Sequence, residues 1–411
     1  MTTPPTVDAP ATLWNRHFVI WWLGTAQSSL GTALASIATS FLVLHQTGSA
    51  GAMGVNLALA LIPALLSPLF GTLVDRLPLK LPLIAGNLLR AALQLGVGFA
   101  ALHGDMPLWV IYSASFLTGL IGAFYGPASQ GVTPRLVPAE QLQRASCLMQ
   151  GASQTMQMVG TVGGGALVAS IGKGPALLLD GLSFLVFALL LLLVRLPTHT
   201  RPNQGERFWT TFQGGLKYVR GRPLLISLPV LALLLNAAFA PVQLLIPVRM
   251  EALGAGPQGF GLFFGLVLAG LASGSFLLAG LGQKVSPERA SVVGMAGMGL
   301  VMLGLALSQS APQMYVLASL LGLVNALTNV GISVLFQKRV APEYYGRVGS
   351  LLSMVGMAGM PLILLLLAPI ADRLTAGVIF GVAGIVGLSG ALAWQLILRR
   401  ESVNFPQPVP A

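Results

Sequence analysis

PRLVPAEQLQRAS, residues 134–146, returns in the second half of the chain as KRVAPEYYGRVGS, residues 338–350. Arg135, Pro138 and Arg144 of the first copy stand opposite Arg339, Pro342 and Arg347 of the second, an offset of 203–204 residues. Each copy follows a long apolar run. Farther along, two more apolar runs end at Arg195 and Arg399, again 204 residues apart. One short match means little. Two at one offset imply that the chain is a duplication, with two halves of like architecture.

Composition says what the halves are made of. Of 411 residues, 55% are hydrophobic and 8% charged, against roughly 25% charged in soluble domains. So few charges cannot cover that much apolar surface in water, whereas helices can hold it in lipid by satisfying their own backbone bonds. Crossing hydrocarbon takes about 20 apolar residues. Suitable stretches lie at 18–44, 50–74, 81–102, 107–130, 145–170, 175–195, 223–248, 257–281, 290–309, 312–337, 348–371 and 376–398. The expected fold is therefore an all-α membrane protein with twelve transmembrane helices in two pseudo-symmetric six-helix bundles. A tail (1–17) precedes the first bundle (18–195), a polar linker (196–222) joins it to the second (223–398), and a tail (399–411) follows. Parallel repeats of this kind suit two bundles rocking about a central site.

Charge sets the orientation. With the N-terminus inside, 18 of the 22 Lys and Arg residues fall in cytoplasmic segments. Only Lys173, Arg249 and Arg373 fall outside, and Arg90 lies within the third span. Such a bias over short loops predicts both termini and the linker in the cytoplasm. The net charge of +11 is thus a topology signal; the basic residues are scattered singly, with no strip suited to nucleic acid. The N-terminal MTTPPTVDAPATLWNR lacks a cleavable apolar core, so the first span is expected to be retained. The single cysteine, Cys147, excludes an intrachain disulfide and a thiolate metal cluster.

The loop GTLVDRLPLK (71–80) resembles the signature of the major facilitator superfamily, Gly-x-x-x-Asp-Arg followed by basic residues. The stretches NRHFVIWWLGTAQSSLG (15–31) and LLLDGLSFLVFALLLLLVRLP (177–197), with the two repeated loops, look like the branch of the enterobactin exporter and macrolide efflux proteins. The resemblance implies a multi-pass protein of the bacterial inner membrane, acting as a monomer without a cofactor. It also implies a cytoplasmic gate of Gly71, Asp75, Arg76, Arg144 and Arg347, in which Asp75 latches the inner face. The plainer reading makes Asp75 and Arg76 interfacial anchors. Three departures stand out: Gly31-Thr32 where relatives often carry an Asp, GTVGGG (160–165) with Thr161 in place of a Pro, and GLGQKVSPER (280–289) without the Asp-Arg pair. The first two weaken an expectation of proton-driven drug antiport.

Two charged residues lie deep in spans. Arg90 sits near the middle of the third, where an Arg costs about 2.5–3.5 kcal/mol on insertion scales. Asp180, in the sixth, is the one carboxylate of that half placed where it could reach toward it; the other ten carboxylates and all four histidines fall in loops, tails or span ends. A structural ion pair and a coupling site are both open for Arg90 and Asp180. Proton antiport and facilitated diffusion fit the residues equally well.

Neutral polar residues outline a substrate cavity. Asn325, Asn329, Ser333 and Gln337 recur at four-residue intervals, one row on a helix. Gln150, Gln154 and Gln157 line the fifth span, Asn236 and Gln243 the seventh, Gln27 the first, and Ser115 and Tyr125 the fourth. Hydrogen bonding between helices is the competing role for each. No nucleotide loop, metal-ligand cluster or nucleophile–base arrangement is visible, which argues against an enzyme and against ATP drive. The readings left are an exporter of a lipophilic or amphipathic small molecule, a lipid flippase or scramblase, and a facilitative uniporter or channel. Their partners would be the substrate, protons and membrane lipids.

Overall fold

In hydrocarbon a backbone must satisfy its own hydrogen bonds, so long apolar runs become helices. The computed structural model describes residues 12–74, 77–104, 106–196, 223–281, 284–340 and 344–404. The first half contains α1 (Arg16–Thr47), α2 (Ala50–Leu61), a 3-10 turn (Ile62–Leu66), α3 (Ser67–Val74) and α4 (Lys80–Leu102). It continues with α5 (Leu108–Gln130), the short α6 (Thr133–Leu136), α7 (Leu142–Ile171) and α8 (Lys173–Leu193). The second half contains α9 (Pro223–Ala252), α10 (Gly256–Leu281), α11 (Pro287–Leu307), α12 (Ala311–Arg339), α13 (Tyr345–Ala371) and α14 (Ala376–Asn404). The linker 197–222 and the outermost tail residues lie outside the described residues.

Among the described residues, ten helices are long and apolar enough to cross a membrane. The other two expected spans depart from that standard for separate reasons. The second is interrupted: Pro63 opens the 3-10 turn, and α2 and α3 run on either side of it, because a Pro removes a backbone donor and clashes with the preceding turn. The fifth is the continuous 30-residue α7, made polar by Gln143, Gln150, Gln154 and Gln157.

Contacts divide the chain into two units. One holds Met1–Thr47 and Leu59–Gly205; the other holds Gly48–Ala58 and Glu206–Ala411. The second span is therefore shared, its first turns belonging with the later half of the chain. In the first unit α1 packs on α7 and α8, and α4 on α8 and α5. In the second, α9 packs on α13, α10 on α12, and α11 on both α12 and α14. Small residues set the crossings. A methyl at Gly322 would overlap the Val267 carbonyl, and one at Gly270 the Ser319 carbonyl, so α10 and α12 touch backbone to backbone. Gly160 meets the α1 backbone at the Leu30 carbonyl in the same way, and Gly164 packs on the side chains of Leu34 and Ile37.

The repeated loop has a packing role in each unit. Leu136, Val137 and Ala145 are buried in a cluster with Phe18, Trp21 and Leu191. Val340 and Val348 are buried in a matching cluster with Leu225 and Trp394. Its apolar positions plug one end of each bundle, and in the first copy Pro134 and Arg144 stay exposed. At another end of the second unit, Asp372 accepts hydrogen bonds from Ser49 Oγ and, at 3.1 Å, from the Gly51 N–H. A carboxylate just past α13 thus caps the start of α2, where the helix dipole favours negative charge.

Candidate functional site

The charged residues of the first unit meet on adjacent helices. Asp180 on α8 is 1% exposed. It accepts a hydrogen bond from Gln94 Nε2 at 2.8 Å and a longer one from Ser183 Oγ at 3.5 Å. Gly31 of α1 makes the room, since a methyl there would lie 2.7 Å from Asp180 Oδ1. Arg90, one turn before Gln94 on α4, spreads over two aromatic faces. Its Cζ lies 4.9 Å from the Tyr125 ring centroid and 5.5 Å from that of Phe184, a geometry in which ring quadrupoles stabilise a cation. Gly122 lets the guanidinium in, because a methyl there would lie 2.8 Å from Nη2. Arg90 Nε has no hydrogen-bond partner among the described residues. No ion pair within 4.0 Å joins Arg90 to Asp180. The carboxylate is held by neutral donors and the cation by ring faces.

Sequence reasoning names Arg90, Asp180 and Tyr125, and Gly31 only as the neighbour of an absent Asp, but misses Gln94, Phe184 and Gly122. Gln94 has a signal: it stands four residues after Arg90, hence on the same helix face. Gly122 has none, since 50 glycines offer no way to pick it out.

The neutral residues sort by unit. On α12, Asn329 donates to Asn325 Oδ1 at 2.5 Å and to the Asn325 carbonyl at 2.9 Å, and Gln337 donates to Ser333 Oγ at 3.4 Å. These bonds run along the row, not across to another helix, and Asn329, Ser333 and Gln337 are exposed. The α10 contact accounts for this. It holds α12 through Ser319, Gly322, Leu323 and Ala326, and the polar row continues beyond it. Asn236 on α9 is exposed and bonds its own helix at the Ala232 carbonyl, 2.9 Å away; Gln243 is half-buried. In the first unit Gln150, Gln154 and Gln157 are exposed on α7, and Gln27, Ser115 and Tyr125 are half-buried. Gln27 Oε1 is buried with no partner among the described residues. Between α1 and α7, Ser29 and Ser153 share a bond of 2.7 Å.

A family model described as the Major Facilitator Superfamily matches residues 21–360 and 230–411. The chain belongs to the major facilitator superfamily. It is 28% identical to macrolide efflux protein A of Streptococcus pyogenes over 396 residues, 93% of this chain and 96% of that protein. It is 23% identical to the multidrug efflux pump Tap of Mycobacterium bovis over 93% of this chain and 94% of that protein. Its fold is that of the nucleoside transporter NupG, with a TM-score of 0.76 at 11% identity, covering 94% of this chain and 100% of the other.

This major facilitator protein is thus a multi-pass membrane transporter. Of the gate residues implied by the family signature, Asp75 and Arg76 lie outside the described residues. Gly71 falls in α3 and Arg347 in the first turn of α13, while Arg144 is exposed in the first turn of α7. Arg249, one of the few basic residues expected outside, has a structural job: its Nη2 donates to the Ser308 carbonyl and so caps α11. Such a cation is favourable at a helix C-terminus.

Proposed function

We propose that this transporter exports a lipophilic or amphipathic small molecule of macrolide-like size and polarity, by alternating access, with both termini in the cytoplasm of a bacterial inner membrane. Near full-length similarity to a protein named macrolide efflux protein A carries the reading. Its substrate surface is the neutral set Asn325, Asn329, Ser333, Asn236, Gln243, Gln27, Ser115, Tyr125, Gln150, Gln154 and Gln157. Amides and hydroxyls that bond along their own helix keep spare donors and acceptors for a ligand rich in ethers, esters and hydroxyls. Asp180 is the proton carrier: a buried carboxylate inside a span is a functional group by default. Arg90, on the helix that supplies Gln94, completes the coupling pair. Gly71, Asp75, Arg76, Arg144 and Arg347 form the cytoplasmic latch.

The test is accumulation of a labelled macrolide in sensitive cells lacking their own pumps. Expression of the chain should lower steady-state accumulation about tenfold, and a protonophore should restore it. Unchanged accumulation of macrolides and of lipophilic cationic dyes would sink the exporter reading. Lowered accumulation that persists with the protonophore present would require another driving ion and remove Asp180 from its role, whereas faster entry and exit with unchanged steady-state accumulation would leave a facilitative carrier.

A further inference from the structure

The second unit holds an apolar cavity of about 310 Å³ among α9, α11, α13 and α14. Helix packing explains its position. α14 packs on α11 and α9, and α13 packs on α9, but α13 and α14 scarcely meet. The gap between them is walled by Leu234, Met298, Met302, Ile370, Leu374 and Val382 among others, and no polar side chain takes part.

The repeat shows what the gap has lost. Gly174 and Gly181 of α8 pack on α4, and Gly377 and Gly384 of α14 pack on α11, which fixes the register of the two helices at 203 residues. Leu191 and Trp394, each buried in its unit's core cluster, obey the same offset. In that register Asp180, Ser183, Phe184 and Phe187 correspond to Ala383, Val386, Gly387 and Gly390. The first four are buried, Phe187 stacking on Trp21 at 5.6 Å and pressing on Gly24 of α1. The second four line the cavity. Two phenyl rings and a carboxylate that seal one unit are replaced in the other by two glycines and an alanine.

An apolar space of this size loses dispersion contacts on every wall unless something fills it. A lining without donors or acceptors excludes water and any polar ligand. The lining is exposed at Val382, 57%, and Val386, 54%; both lie inside an apolar helix long enough to span, where an exposed apolar face meets hydrocarbon. Along α14 the lining runs from Val378 to Gly390, about 18 Å at the helical rise, and one leaflet's hydrocarbon is about 15 Å deep. At the end near the membrane surface, next to Leu374, Arg373 is exposed, while the neighbouring carboxylate of Asp372 is already taken by Ser49 and Gly51.

From this we infer that the cleft between α13 and α14 is a lipid site, taking one acyl chain of a phospholipid from the leaflet at the Arg373 end, with the phosphate against Arg373. The site is independent of the exporter reading and its test does not involve transport. Native mass spectrometry of the intact protein, purified in mild detergent and supplied with phosphatidylglycerol, reads occupancy directly. Wild type should retain about one phospholipid per chain more than Gly390→Phe, which restores the ring that Phe187 supplies in the first unit. Gly390 has room for it, since a methyl added there would find its nearest neighbour, Met295 Cε, 3.8 Å away. Ala383→Leu should lower retention on its own, which covers the case of a misfolded Gly390→Phe. Arg373→Ala, a surface change, should cut retention severalfold and abolish the preference for phosphatidylglycerol over a zwitterionic lipid. Equal retention in wild type and all three variants overturns the proposal, as does a wild type that carries detergent alone.

Discussion

Asp180 shows how much depends on neighbours far away in sequence. Its carboxylate rests on Gln94 from α4 and on the space left by Gly31 of α1, three helices that only the fold brings together. Asp180→Asn keeps an acceptor for Gln94, so the protein should fold with an unchanged Tm while proton-driven export falls about tenfold or more; substrate counterflow, which needs no net proton movement, should persist. Gln94→Leu should instead lower Tm, because removing the donor leaves a buried acceptor short at a cost of about 1–3 kcal/mol. Gly31→Ala should cost about 1–3 kcal/mol by overpacking against Asp180 and Ser183. Gly96→Ala on α4, where nothing lies within 4 Å, is the neutral control. Equal thermal shifts for the two glycine variants would contradict this geometry. The charged residues are legible in the sequence because charges are rare in spans. Their supports are less so: Gln94 and Gly31 show only by their spacing from Arg90 and the Asp absent beside Gly31, and Phe184 and Gly122 are ordinary residues made special by what stands opposite.

Among the elements, α12 is the most readable. Four-residue spacing puts Asn325, Asn329, Ser333 and Gln337 in one row, and the helix carries them so. Because Asn329 is exposed and bonds within its own helix, Asn329→Leu should leave Tm unchanged while raising the KM for substrate severalfold, about 1 kcal/mol of lost binding. Gly322→Ala, on the same helix, should do the reverse: its methyl would overlap the Val267 carbonyl and force α10 and α12 apart, lowering Tm by several degrees. Thermal unfolding beside flux kinetics separates the two. The second and fifth spans read less well. Apolar content locates the second, but its break at Pro63 depends on how the 3-10 turn is accommodated against α5. α7 spans despite its glutamines, its Gly160 and Gly164 locked to α1, so helix packing supplies what hydropathy lacks.

For the molecule as a whole, duplication and charge bias together make the architecture visible in the sequence. The all-α, twelve-span fold follows from hydrocarbon's demand for internal hydrogen bonds, and apolar residues of the two repeated segments, Leu136 and Val137 in one and Val340 and Val348 in the other, are buried in their units' core clusters. What the repeat hides is where the copies diverge: matching lengths and loops give no hint that α14 lacks the rings by which α8 seals its unit. Orientation is open to direct measurement with an epitope tag at either terminus. Both tags should be protected from protease in intact spheroplasts and cut after lysis. Tags accessible on opposite faces would refute an even number of spans. On α7, Cys147 stands exposed one turn before Gln150 and is the chain's single sulfhydryl. A maleimide dye therefore attaches at one known address without mutagenesis, and the colour of its emission would register how wet that helix face becomes as cargo arrives and leaves.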